Sequence, residues 1–185
     1  DPERRHGDAG EAHDAVGNAT ANANSLAVDN QFGYANVDAW QESSANVNAS
    51  SYVTLGEDFS GFASAGAYGV GNSVSASNSS SDMVLLTDQS NDGDINADAG
   101  LIATGGEQAL ASSAAYGNVV TGALCGNCGL NGGEPELYAS ANQTNNGQVR
   151  ARTTINAPVA GMVAGSATAI SAVPIAAGHA ANEST

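Results

Sequence analysis

The sequence predicts an all-β fold, a β-solenoid (β-helix) of stacked repeats around a narrow core of Ala, Val, Ser and Thr. Three observations carry that prediction. First, Asp88-Gln89-Ser90-Asn91-Asp92-Gly93-Asp94-Ile95-Asn96-Ala97 recurs as Asn142-Gln143-Thr144-Asn145-Asn146-Gly147-Gln148-Val149-Arg150-Ala151, an offset of 54 residues. The alignment runs ungapped for roughly thirty positions, the scale of a stacked unit. It closes with Ser112-Ser113-Ala114-Ala115 over Ser166-Ala167-Thr168-Ala169. Second, long stretches alternate apolar and polar residues with period two, the signature of strands with one face buried. Third, the chain holds 23 Gly and only 5% aromatic residues, and Leu, Ile and Phe are scarce. Side chains this small fill a thin space between closely spaced strand faces better than the centre of a wide globule.

Taken in order, residues 1–14 are polar and read as a flexible N-terminal lead-in. Residues 15–185 read as a single β-repeat domain with repeats at approximately 15–72, 73–118 and 138–172. Ala15, Gly17, Ala19, Ala21 and Ala23 fall on one face of the first strand, with Asn18, Thr20, Asn22 and Asn24 on the other. Ala45, Val47, Ala49, Ser51, Val53 and Leu55 repeat the rhythm, and so do Val149, Ala151, Thr153, Ile155 and Ala157. Turn clusters separate these runs at Asn78-Ser79-Ser80-Ser81, Asn91-Asp92-Gly93, Asn131-Gly132-Gly133 and Asn145-Asn146-Gly147. Such residues tolerate positive φ. A coil of about 18 to 22 residues climbs one strand spacing of about 4.8 Å, so the repeat is expected to hold about three coils. Gln31 to Gly71-Asn72 reads as a looser copy of Gln89 to Gly117-Asn118 with an insertion. Residues 119–137 read as a surface loop carrying both cysteines. A sandwich with hairpins every 8 to 12 residues or so is the competing architecture.

Composition limits function. The net charge is -15, lysine is absent, and the cations are Arg4, Arg5, Arg150 and Arg152. That excludes the basic footprint of a nucleic-acid partner. Disorder, the reading for Asn, Ser and Gly richness, fits poorly with 42% hydrophobic residues in strict alternation. No apolar run is long enough for a membrane-spanning helix, and the first residues lack a secretory signal's apolar core, so the chain reads as a mature form or a fragment. The composition suits an extracellular bacterial surface protein.

The chemistry-bearing candidates are few. Asp88, Asp92, Asp94 and Asp98 resemble half a calcium loop, but Ala99 stands where the bidentate Glu belongs. Their counterparts Asn142, Asn146, Gln148 and Arg152 are not acids, so the turn is expected to be structural, with a weak exposed cation site as the alternative. Cys125-Gly126-Asn127-Cys128 is read as a local disulfide in an oxidising compartment. Zinc would need His6, His13 or His179, which show no ligand spacing. No triad motif is present, and Gly61 to Gly71 lacks the Lys-Ser/Thr of a phosphate loop. No enzyme is expected and no cofactor, calcium aside. Arg150 and Arg152 share a strand face and read as solvated residues rather than a polyanion clamp. Tyr34, Trp40, Tyr52, Phe59, Phe62 and Tyr68 read as local packing, with a sugar platform or docking face as the alternative.

The recurring Gly17-Asn18, Gly71-Asn72 and Gly117-Asn118, the Gln openings, and the run from Asn142 to Thr154 resemble the holdfast attachment protein D family. The resemblance implies a secreted, elongated β-repeat that anchors a polysaccharide adhesive at the outer surface of stalked bacteria. It also implies partners: other surface or adhesin subunits, self-assembly, and extracellular polysaccharide. Ser25, Gln31, Gly33 and Asn36 follow curlin repeat spacing, while Asp38 and Glu42 depart from it. The function expected is therefore structural and adhesive. A curli-like amyloid or filament subunit, a calcium-dependent adhesin and a polysaccharide-acting β-helix enzyme are the alternatives.

Overall fold

The computed structural model describes residues 13–56, 60–125 and 135–179, with side chains described as far as residue 172. Among them are ten strands and no helix: β1 (Asp14–Asn30), β2 (Ala35–Ser43), β3 (Val47–Leu55), β4 (Phe62–Ser79), β5 (Met83–Asn91), β6 (Ile95–Ala103), β7 (Gln108–Cys125), β8 (Leu137–Asn145), β9 (Val149–Asn156) and β10 (Met162–His179). All pairings are parallel. They make a long sheet in the order β1-β4-β7-β10, a second sheet β2-β5-β8 and a third sheet β3-β6-β9. The chain visits the sheets in that order and re-enters the long sheet beside the strand it left. The fold is all-β, as the alternation predicts, and its parallel ladders exclude the hairpins of the competing sandwich.

One complete circuit, not three, accounts for the long repeat. Stacked partners stand 48 residues apart from first to second circuit, 46 apart across β4 and β7, and 54 apart from β5 to β8. The expectation of about three coils per repeat is corrected, and the reason lies in the long sheet. Its strands β4, β7 and β10 are 18 residues each and run through the places where the repeats were expected to end. Inward positions in β4 are Ala63, Ala65 and Ala67, then switch phase to Asn72, Val74, Ala76 and Asn78. The register passes from Val70↔Tyr116 to Asn72↔Asn118, leaving Gly71 and Gly117 at the bend. A Cβ on Gly71 would strike the Gly117 carbonyl and the Asn91 side chain, and one on Gly117 would strike the Ser171 carbonyl and Asn145. Gly-Asn therefore marks a mid-strand bend. Gly17-Asn18 is not an equivalent, because Gly17 pairs with Ala65, and Ala23-Asn24 holds the matching place.

Register also relocates the insertion. Gln89 pairs with Gln41 and Gln143, so Gln31 is not its counterpart. The variable lengths lie between β3 and β4 and between β7 and β8. Strand β7 continues through Cys125, so the expected loop 119–137 starts only after it. Cys128 and Asn131-Gly132-Gly133 lie outside the described residues, as does most of the lead-in.

The interior holds two apolar clusters. One joins the first half of the long strands to the third sheet and is mostly Ala, with Ile95 and Leu101 as its large members. The other joins the second half to the second sheet through Val37, Val74, Met83, Leu85, Val120 and Leu124. Full burial of a Leu, Ile or Met contributes about 1.5–3 kcal/mol. Rows of amides run up the interior between these clusters. Asn24 Nδ2 donates to Asn72 Oδ1 (2.8 Å), and Asn72 Nδ2 to Asn118 Oδ1 (2.9 Å). Each also donates to a carbonyl of the facing strand, on Glu42, Ser90 and Thr144 respectively. Gln143 donates to Gln89 (2.8 Å) and Gln89 to Gln41 (2.7 Å). Buried amides that satisfy one another hold the register, since a one-residue slip would strand them away from water.

Candidate functional site

Strand alternation sends every second side chain outward, and parallel register stacks those side chains in rows across the circuits. The quartet of acids illustrates the consequence. Asp88 lies on β5, Asp92 and Asp94 in the corner after it, and Asp98 on β6. Each faces its replacement one circuit on. Asp92 Oδ1 accepts from Asn146 Nδ2 (2.8 Å), and Asp94 Oδ1 accepts the Gln148 backbone N–H (2.9 Å). Asp88 Oδ2 lies 3.5 Å from Asn142 Nδ2, and Asp98 is the register neighbour of Arg152. In-register acids would repel across about 4.8 Å; an amide or a cation in the next circuit removes that repulsion. The structure does not bring the four carboxylates together, and no group of three potential metal ligands occurs among the described residues. The complementary replacement was legible in the sequence, but its stacking meaning needed the register.

The corner glycines correct a second expectation. Positive φ occurs at Gly33, Gly106 and Ser80, not at Gly93 or Gly147. A Cβ on Gly93 would strike the Ala45 carbonyl, and one on Gly147 the Gly93 carbonyl. Close stacking, rather than backbone handedness, requires glycine there.

The aromatic side chains do not form a single platform. Trp40 projects from the second sheet, Tyr52 from the third and Tyr68 from the long sheet; Tyr34 precedes β2, Phe62 is half-buried, and Phe59 lies outside the described residues. Tyr68 packs on Tyr116 with ring centroids 5.5 Å apart. Burial first, and the neighbouring Tyr116 second, push the Tyr68 phenol above its ordinary value. His13 is exposed at the foot of β1, while His6, Cys128 and the His179 side chain lie outside the described residues. Gly61 to Gly71 runs mostly along β4.

Arg150 and Arg152 both project outward from β9. Their sheet carries a shallow groove of about 310 Å³, lined by Tyr52, Thr54, Asp98, Ile102, Arg152 and Thr154. Gly100 forms its floor: a Cβ there would enter the Tyr52 ring. The groove was not legible in the sequence, because β3 contributes Tyr52, β6 contributes Gly100 and Ile102, and β9 contributes Thr154, each strand a whole circuit from the next. No helix among the described residues is long and apolar enough to cross a membrane, which says nothing of β-barrels.

Residues 4–94 match the holdfast attachment protein D family. The matched span runs through β1–β5 and ends at the corner before β6. No curated protein and no solved structure matches the chain.

Proposed function

With holdfast attachment protein D as the family matched by residues 4–94, we propose that this chain is an extracellular, non-enzymatic attachment protein. It holds a polysaccharide adhesive at the bacterial surface through a rigid β-solenoid. The observation that supports this reading best is the unbroken parallel ladder in all three sheets. Parallel register stacks the outward side chains of successive circuits in rows, and the interior is closed by its own side chains. Such a body offers long repeating surfaces for a polymer and for neighbouring surface subunits. Its partners are the adhesive polymer and other surface components, and its place is the outer surface of the cell. Cys125 and Cys128 close the connection after β7 as a disulfide; alkylation without reductant, read by mass spectrometry, should leave both unmodified.

The deciding experiment is deletion of the protein from cells that make it. Cells lacking it should release adhesive into the medium, and restored expression should return the adhesive to the surface. Unchanged retention of the adhesive in the deletion strain would end the attachment reading.

A further inference from the structure

We infer that the groove on the outer face of the third sheet is a binding subsite for an acidic sugar residue. This deepens, and rests on, the attachment reading above. Among the described residues the only Lys or Arg side chains are Arg150 and Arg152, and both lie exposed on the outer face of this one sheet. Two positions along a strand separate them, about 6.6 Å. Asn96, the register neighbour of Arg150, is uncharged, so that guanidinium has no acid opposite it. The rest of a chain of net charge -15 would repel an anion at long range. Screening over about 8 Å confines that repulsion at physiological salt, and the short-range guanidinium contact decides the sign.

The groove's shape supplies the rest of the recognition. Its volume of about 310 Å³ suits one ring of a polymer rather than a buried cofactor. Tyr52 is 73% exposed, and its ring lies against the backbone of Gly100, which fixes it as a shelf. The C–H face of a pyranose packs on such a shelf. Arg150, which faces no acid, takes the sugar carboxylate beside the groove, while Arg152, offset by Asp98, bonds ring hydroxyls. Asp98, Thr54 and Thr154 are placed around the same space to bond hydroxyls. Trp40 and Tyr138 are also exposed, but they stand on the acidic second sheet, where Asp38, Glu42 and Asp88 would repel an anionic polymer.

The test is affinity electrophoresis of the full chain in gels containing polygalacturonate or neutral dextran. Polygalacturonate should retard the protein at least tenfold more strongly than dextran. Arg150→Gln and Tyr52→Ala should each lose at least tenfold of that retardation with an unchanged circular dichroism spectrum, while Trp40→Ala should lose none. Equal retardation by both polymers, no retardation by either, or full retention in the folded groove variants would overturn the assignment. Expressing the double groove variant in the deletion strain separates the two ideas. Adhesive retained by that variant but shed by the deletion strain removes the subsite and leaves the attachment role standing; adhesive retained by the deletion strain itself removes the attachment role.

Discussion

The corner between the second and third sheets and the corner between the long and second sheets face the same topological task and solve it differently. The first is residues 44–46, 92–94 and 146–148, the same length in every circuit. Its backbones stack directly: the Asp92 N–H donates to the Ser43 carbonyl and the Asn146 N–H to the Asn91 carbonyl, both at 2.8 Å. Inside it, Asn91 and Asn145 reach across to the carbonyls of Gly93 and Gly147, and Asn91 donates to Asn145. The second corner is residues 31–34 and 80–82 in the first two circuits, and the chain between β7 and β8 is longer than either. Its length drifts, and it relies on positive φ at Gly33 and Ser80. A corner that stacks on its own copies is locked in length and in side-chain size. A corner that only reverses the chain is free to grow. Ala45 shows the rule from the other side: it stands where later circuits have glycine, in the first circuit, which the others build upon.

That contrast is open to attack. The largest effect is expected from Gly93→Val in the locked corner. Its new side chain meets a backbone carbonyl that cannot yield, so unfolding in urea should show a loss of about 4 kcal/mol or more. Next comes Asn72→Ala, opposite that corner. It leaves the Ser90 carbonyl and the Asn118 Oδ1 each without its Asn72 donor, at a cost of about 1–3 kcal/mol. Asn24→Ala, at the end of the same row, should cost less by the same measurement. Two extra serines inserted within 31–34 should cost only about 0.4 kcal/mol, because loop closure varies slowly with length. If that insertion proves as damaging as the valine, the distinction between the corners fails.

The smallest effect concerns neither corner but the outer long sheet. Tyr68 is held above its ordinary value of 10.0, so the fold favours the neutral phenol. The stability it adds is complete below pH 10.0 and is lost as pH rises through the folded-state value. Alkaline titration of tyrosinate absorbance should show a phenol ionising above pH 10.0 that Tyr68→Phe removes, and Tyr116→Phe should bring it earlier.

Strand identity was legible because alternation is local. Ala15 through Ala23, Val47 through Leu55 and Val149 through Ile155 point inward as their spacing indicates. Circuit length was not legible, because Gly and Asn carry two meanings. In Asn91-Asp92-Gly93 they make a corner; in Gly71-Asn72 and Gly117-Asn118 they sit inside an 18-residue strand and build an interior row. Only the facing strand distinguishes the cases, and it lies a third of a circuit away in sequence. The outer groove was hidden for a related reason. Tyr52, Gly100 and Thr154 are one row in register and three unrelated residues in sequence.

The interior amide rows have a mechanical consequence. A pull along the strands loads every ladder bond of a circuit together, in shear, whereas a pull along the stack peels circuits away one after another. The body is therefore stiff in one direction and ravels in the other. A tether fixed across its sheets would bear a sustained drag far longer than the same tether fixed to its ends.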